Sequence, residues 1–364
     1  MIPAVTFAAV WSKAWPILLG ILFFGLIITI HELGHFAFAK LFKVKINEFS
    51  IGMGPAIFKR KKGDTDYALR LFPVGGYVAM DGEDGQSEDE NAFCKKAVWK
   101  RMIIVVAGAT MNIILGFLLF SIIISRQDLV GTTTVAKFDD NAVSSTCGLQ
   151  VGDRIIKVDG TRVFTNSDLS YALTRGKDNR ADLTVVRDGE KLELENVGFL
   201  ETEIDGRTYV VRDFFFLGKE NNFFRSLTHG VVETVATENL VRMSLVDMVT
   251  GKYGLKDLSG PIGTMQVISQ AASDLGSAQT SEERSDALYF LVYLMAFITV
   301  NIGVVNLLPI PALDGGRLFF LVIEAIRRKP ILPKYEGYVH AAGLVLLLLL
   351  IAVVSAKDII YLFK

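Results

Sequence analysis

The sequence predicts a polytopic α-helical membrane protein with four transmembrane helices and an α+β segment inserted between the second and third. Three observations carry this. The chain of 364 residues is 51% hydrophobic and its mean hydropathy is +0.39, too apolar for an ordinary soluble enzyme. Four apolar runs reach the roughly 20 residues that a helix needs to cross a bilayer: Pro16–Phe38, Met102–Ser125, Ala287–Leu308 and Tyr338–Ile360. Between the second and third, Arg126 to Asp286 breaks into short apolar runs separated by Gly, Asp and Asn turns. The net charge of −1 gives no reason to expect a nucleic-acid partner; the expected partner is the lipid bilayer.

The first span is not a secretory signal. Lys13 precedes it and Ala37-Phe38-Ala39 fits a cleavage site, but the apolar run is longer than a signal core. Lys and Arg set the orientation. Lys40, Lys43, Lys45, Lys59, Arg60, Lys61, Lys62, Lys95, Lys96, Lys100 and Arg101 follow the first span, and Arg317, Arg327, Arg328, Lys329 and Lys334 follow the third. Both loops therefore read as cytoplasmic, which leaves the N-terminus, the insert and the C-terminus outside. Cys94 and Cys147 fall on opposite sides and form no disulfide framework.

Within residues 1–125, the first loop contains two candidate strands, Ile46–Met53 and Tyr67–Met80, joined by a charged turn at Lys59–Asp66. Its glycines and apolar residues, Phe49–Pro55 and Pro73–Tyr77, suit a hairpin that dips into the membrane. Such backbone is tolerated at that depth only beside protein or a water-filled cavity, and composition alone leaves a surface hairpin equally open. Asp81–Glu90 reads as an acidic solvated loop.

Residues 126–200 read as one module. Thr132–Phe138 and Arg154–Val158 are strands, Asn141–Cys147 a short helix, and Ser167–Arg175 a helix capped by Asn166. Asp188-Gly189 joins Leu183–Val186 to Leu192–Leu194 as a hairpin. This order, with Gly148-Leu-Gln-Val-Gly-Asp-Arg-Ile-Ile-Lys-Val-Asp-Gly160, resembles a PDZ domain, a fold that binds extended peptides as an added strand. Residues 201–286 follow it. Asn222–Thr250 has apolar residues at helical spacing (Phe224, Leu227, Val231, Val235) and is expected on the outer membrane surface or packed on the module. His229 within it reads as structural or solvent-facing. Ser277–Asp286 reads as a polar linker into the C-terminal membrane core, residues 287–364.

The chemistry lies in the first span. His31-Glu32-Leu33-Gly34-His35 puts two imidazoles four residues apart on one helix face. That spacing suits two ligands of one zinc ion, with Glu32 as general base on a water the ion activates. Two histidines and a carboxylate are costly inside a membrane unless something pairs with them, and a metal supplies the pairing. A catalytic zinc takes three protein ligands. Asp314, which follows Pro309 and Pro311 and precedes Gly315-Gly316, can be the third, or it can cap the helix that starts there.

His31-Glu-Leu-Gly-His35 and Asn306-x-x-Pro-x-Pro-x-Leu-Asp-Gly315, with a PDZ-like module between them, resemble the site-2 protease family of intramembrane zinc metalloproteases, and within it the bacterial RseP type. Phe49–Gly54, Pro73–Met80, Ala107-Gly108-x-x-Met111-Asn112 and Leu258-Ser259-Gly260-Pro261 extend the resemblance over nearly the whole chain. It implies His31, His35 and Asp314 as ligands of one Zn²⁺ and Glu32 as the catalytic base. It implies a membrane re-entrant hairpin, carrying Gly52, Gly54, Gly75 and Gly76, that holds substrate as a strand, and an Asn306 that helps bind the substrate backbone. The implied substrate is a single-pass membrane protein already trimmed by another protease. The implied setting is the bacterial cytoplasmic membrane, with the active site towards the cytoplasm. The usual consequence is release of a regulator such as a sigma-factor antagonist, or clearance of signal-peptide remnants. Ala109 stands where many members have proline, and the chain has room for one PDZ domain where some members carry two. The other class of reading is a zinc transporter or an inactive PDZ scaffold. A transporter would carry polar residues along several spans, whereas a scaffold need not keep Glu32 together with three ligands.

Overall fold

A computed structural model describes residues 7–83, 85–175, 179–204, 207–252, 258 and 260–362. Asp84 of the acidic loop and Ser259 of the Leu258–Pro261 stretch lie outside them. The chain divides into two compact units, residues 1–116 with 253–364, and residues 117–252.

The first unit begins with α1 (Phe7–Leu41), which carries the HExxH motif. Two long antiparallel strands follow, β1 (Ile46–Lys62) and β2 (Thr65–Met80). The charged stretch Lys59–Asp66 is therefore not a turn. Its residues stay paired out to Lys62 and Thr65, and only Gly63-Asp64 reverse the chain, Gly63 at φ +63°. The unbroken charged run Lys59-Arg60-Lys61-Lys62 on an exposed strand extension lacks the apolar period that marks a strand in sequence. The hairpin packs on α1 because Gly25 has no side chain: a Cβ there would lie 2.4 Å from the Pro73 carbonyl. Below it, Ala39, Ile46, Met80, Ile104 and Leu321 form a buried core.

Next comes α2 (Val98–Ile124), whose last residues belong to the second unit. Later in the chain, α5 (Pro261–Ser277), α6 (Ser281–Asn306), α7 (Asp314–Arg327) and α8 (Pro333–Leu362) complete the first unit. The expected polar linker Ser277–Asp286 shrinks to three residues. Thr280 caps α6 and forms a capping box with Glu283, so the polar residues open the helix instead of preceding it. Gly260 and Gly263 donate their N–H groups to the Asp358 carboxylate, each at 2.9 Å, which ties the start of α5 to α8. Phe23, Ile27 and Ile268 are the buried centre where α1 and α5 meet.

Among the described residues, four helices are long and apolar enough to span a membrane: Ala14–Leu41, Val98–Ile124, Ser281–Asn306 and Pro333–Ile360. These match the four expected runs. Exposed leucines on α8, such as Leu346 at 70%, suit a lipid environment and would be costly in water.

The second unit is built on a six-stranded sheet. Its strands are β3 (Leu129–Phe138), β4 (Arg154–Val158), β5 (Thr161–Arg162), β6 (Arg180–Arg187), β7 (Glu190–Gly198) and β10 (Phe214–Glu220). Their order is β10-β3-β4-β6-β7, with β5 paired to β4. A separate hairpin joins β8 (Leu200–Ile204) to β9 (Arg207–Val211). The sheet thus draws on residues beyond 200, since β10 pairs antiparallel with β3. The segment Asn141–Cys147 forms only a short 3-10 turn over Ser144–Cys147. The helix α3 (Asn166–Thr174) is capped by Thr165 rather than Asn166, with Asp168 closing a capping box. Leu149, Ile155, Leu169, Leu183 and Phe214 fill the core; each such buried side chain is worth about 1.5–3 kcal/mol over leaving it exposed. The helix α4 (Phe223–Val249) packs on this core through Met243 and Leu240. Its apolar residues divide, for Phe224 and Val231 remain exposed. His229 is structural, its Nε2 hydrogen-bonded to the Gly131 carbonyl at 2.9 Å. Cys94 and Cys147 are free thiols.

Candidate metal centre

The site forms where α1, α2 and the start of α7 meet in the first unit. His31 and His35 are both buried. Their Nε2 atoms stand 3.2 Å apart, and Asp314 Oδ2 lies 3.1 Å from the first and 3.3 Å from the second. Ligand atoms about 2.0–2.1 Å from a tetrahedral zinc stand roughly 3.3 Å from one another. The three side chains therefore offer a set of donors with zinc-like spacing. Asp314 Oδ2 is buried and receives no hydrogen bond, an unmet polar atom that a cation satisfies.

Each donor is held by the local fold. His35 donates Nδ1–H to the Ile104 carbonyl at 2.8 Å, which leaves the Nε2 lone pair for a metal. Both rings occupy space that Gly108 leaves open: a Cβ there would stand 2.3 Å from His35 Nε2 and 2.9 Å from His31 Cε1. Gly34, between the two histidines, lets the helices touch, since its Cβ would meet the Ala107 carbonyl at 2.4 Å. Small residues permit this approach in membrane helices.

Asp314 reaches the site by a folded-back loop. Pro309 and Pro311 prevent α6 from continuing. The loop then returns over the start of α7, where Cβ atoms at Gly315 and Gly316 would lie 2.0 Å and 2.5 Å from the Leu308 and Ile310 carbonyls. The helix-capping alternative for Asp314 does not hold. Leu313 is the N-cap and Asp314 the first helical residue, with its carboxylate turned to the histidines.

The other singled-out residues divide. Glu32 is half-buried beside the two histidines, and a Cβ on Gly76 would come 3.4 Å from its Cγ. A side chain at that position of β2 would therefore touch the Glu32 methylene. Gly52, Gly54 and Gly75 lie further along the hairpin, all at positive φ; Gly75 abuts Met53, and Gly52 abuts the Phe72 carbonyl. Asn306 is the last residue of α6, half-buried, eight positions before Asp314. Sequence reasoning assigned no task to Gly108, Asn112 or His340, because their partners are distant in the chain. Asn112 lies 3.4 Å from His31, and His340 holds the loop before Asp314.

The family model of peptidase family M50 matches residues 19–350. A Clostridium acetobutylicum protein named as a zinc metalloprotease is 37% identical over 354 residues, which cover 95% of this chain and 97% of its own. A Fusobacterium nucleatum protein with the same kind of name is 33% identical, covering 95% and 99%. The regulator of sigma-W protease RasP of Bacillus subtilis is 29% identical, covering 94% and 98%. With the converging histidines and aspartate and the four candidate spans, this match establishes that the chain belongs to peptidase family M50, as a membrane zinc metalloprotease.

Proposed function

We propose that the protein hydrolyses peptide bonds within or near the transmembrane segments of single-pass membrane proteins. One observation carries the reading: His31, Glu32 and His35 lie on a helix that qualifies as a membrane span, Ala14–Leu41, rather than in the second unit. His31, His35 and Asp314 would hold the zinc. When bound, zinc supplies Lewis acidity to the scissile carbonyl and lowers the pKa of a coordinated water. Glu32 takes the proton of the attacking water and delivers it to the leaving amine nitrogen. Asn306 binds the substrate backbone.

The β1–β2 hairpin dips into the membrane beside α1 and presents substrate as an extended strand. The nearness of Gly76 to Glu32, whose Cγ a Cβ on Gly76 would meet at 3.4 Å, supports this, because a strand laid along β2 there passes the base. Helical peptide bonds are shielded by their own hydrogen bonds, so pairing with the hairpin also unwinds the segment to be cut. Residues 126–200 serve as a PDZ-like module outside the membrane that filters substrates by size or recruits them. The basic loops face the cytoplasm of a bacterial cell, which puts the site towards that side. The sigma-W regulator named for the Bacillus relative supports a role in releasing a membrane-held regulator, from a substrate trimmed beforehand by another protease.

Purified protein in nanodiscs with model single-pass substrates tests this. Cleavage within the apolar segment, abolished by a chelator and restored by Zn²⁺, is the expected result. Cleavage confined to soluble substrates would overturn the reading.

A further inference from the structure

Asn112 is fully buried on α2, one turn beyond Gly108, and its amide faces the non-ligating edge of the His31 ring. Its Nδ2 stands 3.4 Å from His31 Nδ1, while its Oδ1 is buried with no hydrogen-bond partner. The backbone here is fixed from the other side. Thr299 donates its hydroxyl to the Asn112 carbonyl at 3.3 Å, and a Cβ on Gly303 would lie 3.4 Å from Asn112 Cβ. Asn112 thus links α6 to a histidine of the site through tight packing.

The proton on the His31 ring decides how the amide must sit. His31 turns Nε2 towards His35 and Asp314. An imidazole that ligates through Nε2 is neutral and carries its proton on Nδ1. Nδ1–H is then a donor, and an amide NH₂ opposite it would be a second donor with nothing to accept. A half-turn of the amide about its Cβ–Cγ bond exchanges the oxygen and nitrogen. The oxygen then accepts Nδ1–H, and the NH₂ turns to the helix interface. His35 already has the equivalent arrangement, with Nδ1–H donated to the Ile104 carbonyl.

We infer that Asn112 is a positioning residue for the metal centre: its side-chain oxygen accepts the Nδ1 proton of His31, fixing the ring and its tautomer for Nε2 ligation. The inference rests on the zinc-site reading above and goes beyond it. Two substitutions separate hydrogen bonding from packing. Asn112→Leu keeps the shape and removes the acceptor; Asn112→Asp keeps an acceptor oxygen. Loss of such an outer partner weakens metal binding by about 10- to 100-fold.

The experiment is competition for Zn²⁺ between the full-length protein and a chromophoric chelator, with the melting midpoint of each metal-free variant as the check on folding. Asn112→Leu should bind zinc about 10- to 100-fold more weakly than the wild type, and Asn112→Asp should recover most of that loss. Equal affinity in the leucine variant, or an aspartate variant as weak as it, would overturn the inference. A wild type that takes up no zinc would overturn the site reading as well, so the two failures are distinguishable. One measurement needs no variant. In the zinc-loaded wild type labelled with ¹⁵N-histidine, His31 should show a protonated Nδ1 whose proton exchanges slowly with solvent. A His31 ring protonated on Nε2 would contradict the assignment.

Discussion

His340 holds the backbone of Ala312: its Nδ1 accepts the Ala312 N–H at 3.0 Å. Ala312 has φ +75°, a conformation in which a side chain is unusual outside glycine. Two residues on comes Asp314. Gly343, one turn along α8, leaves room for the same loop, since its Cβ would stand 2.3 Å from Pro311 Cβ. The fourth span therefore shapes the loop that carries one candidate ligand, although it carries no ligand itself.

Replacing His340 with leucine leaves the Ala312 N–H without its acceptor, at a cost of about 1–3 kcal/mol. The expected outcome is weaker zinc binding, because the loop loses the contact that fixes its strained residue. His340→Asn, whose carbonyl oxygen can stand near the place of Nδ1, should recover part of the loss. Zinc titration of both variants checks this; identical affinity in the leucine variant would show that the loop needs no such support.

Gly108→Ala runs against ordinary helix propensity. On an open helix face alanine is favoured over glycine by about 1 kcal/mol. Here the new methyl would enter the space of His35 Nε2. The variant should insert and fold, yet purify with little zinc. Metal analysis by mass spectrometry decides, and a full complement of zinc would mean that the histidine rings can move aside.

Asp314→Ala should lower zinc occupancy with little effect on the helix it begins, because Leu313 rather than Asp314 is the N-cap. A residue serving only as a cap would instead cost about 1 kcal/mol of stability and leave the metal in place. Zinc content and helix content, measured on one preparation, separate the two.

The second unit should weaken as pH rises through the weakly acidic range. Burial, and then the nearby charge of Asp168, push the Glu233 carboxyl up to about 7 from 4.5. Between those values the folded chain keeps a proton that the unfolded chain has released, so stability falls with rising pH and levels off above about pH 7. Hydrogen exchange in α4, corrected for intrinsic rates, should show less protection at pH 8 than at pH 5. Glu233→Gln should flatten the difference, and an unchanged pH dependence in that variant would assign it to another group.

Much of this architecture was legible in the sequence because its physics is local. The apolar runs mark the spans, and the prolines and glycines around Asp314 mark where α6 must stop and the chain fold back. The histidine pair was visible because its two members share a helix face. Other features were hidden for equally definite reasons. The charged end of β1 shows no apolar period, since Lys59 to Lys62 are all exposed. The strand β10 pairs with β3 across the whole module, a distance that no turn signal bridges. Gly108, Asn112, His340 and Asp358 act on residues tens of positions away, from 28 between His340 and Ala312 to 98 between Asp358 and Gly260, so their surroundings in sequence carry no sign of their task. Thr165 displaced Asn166 as the cap of α3 because both residues can cap, and only the contact with Asp168 chooses between them.

Glu32→Gln separates metal binding from proton transfer at this centre, so zinc content and cleavage measured on one preparation decide whether Glu32 is the base. The amide cannot take a proton from water but leaves His31, His35 and Asp314 untouched. Purified in parallel with the wild type, the variant should carry the same zinc content while its cleavage of a single-pass model substrate falls by at least the roughly 10²–10⁴-fold expected from losing a general base. Undiminished cleavage by a zinc-loaded Glu32→Gln protein would mean that Glu32 is not the base.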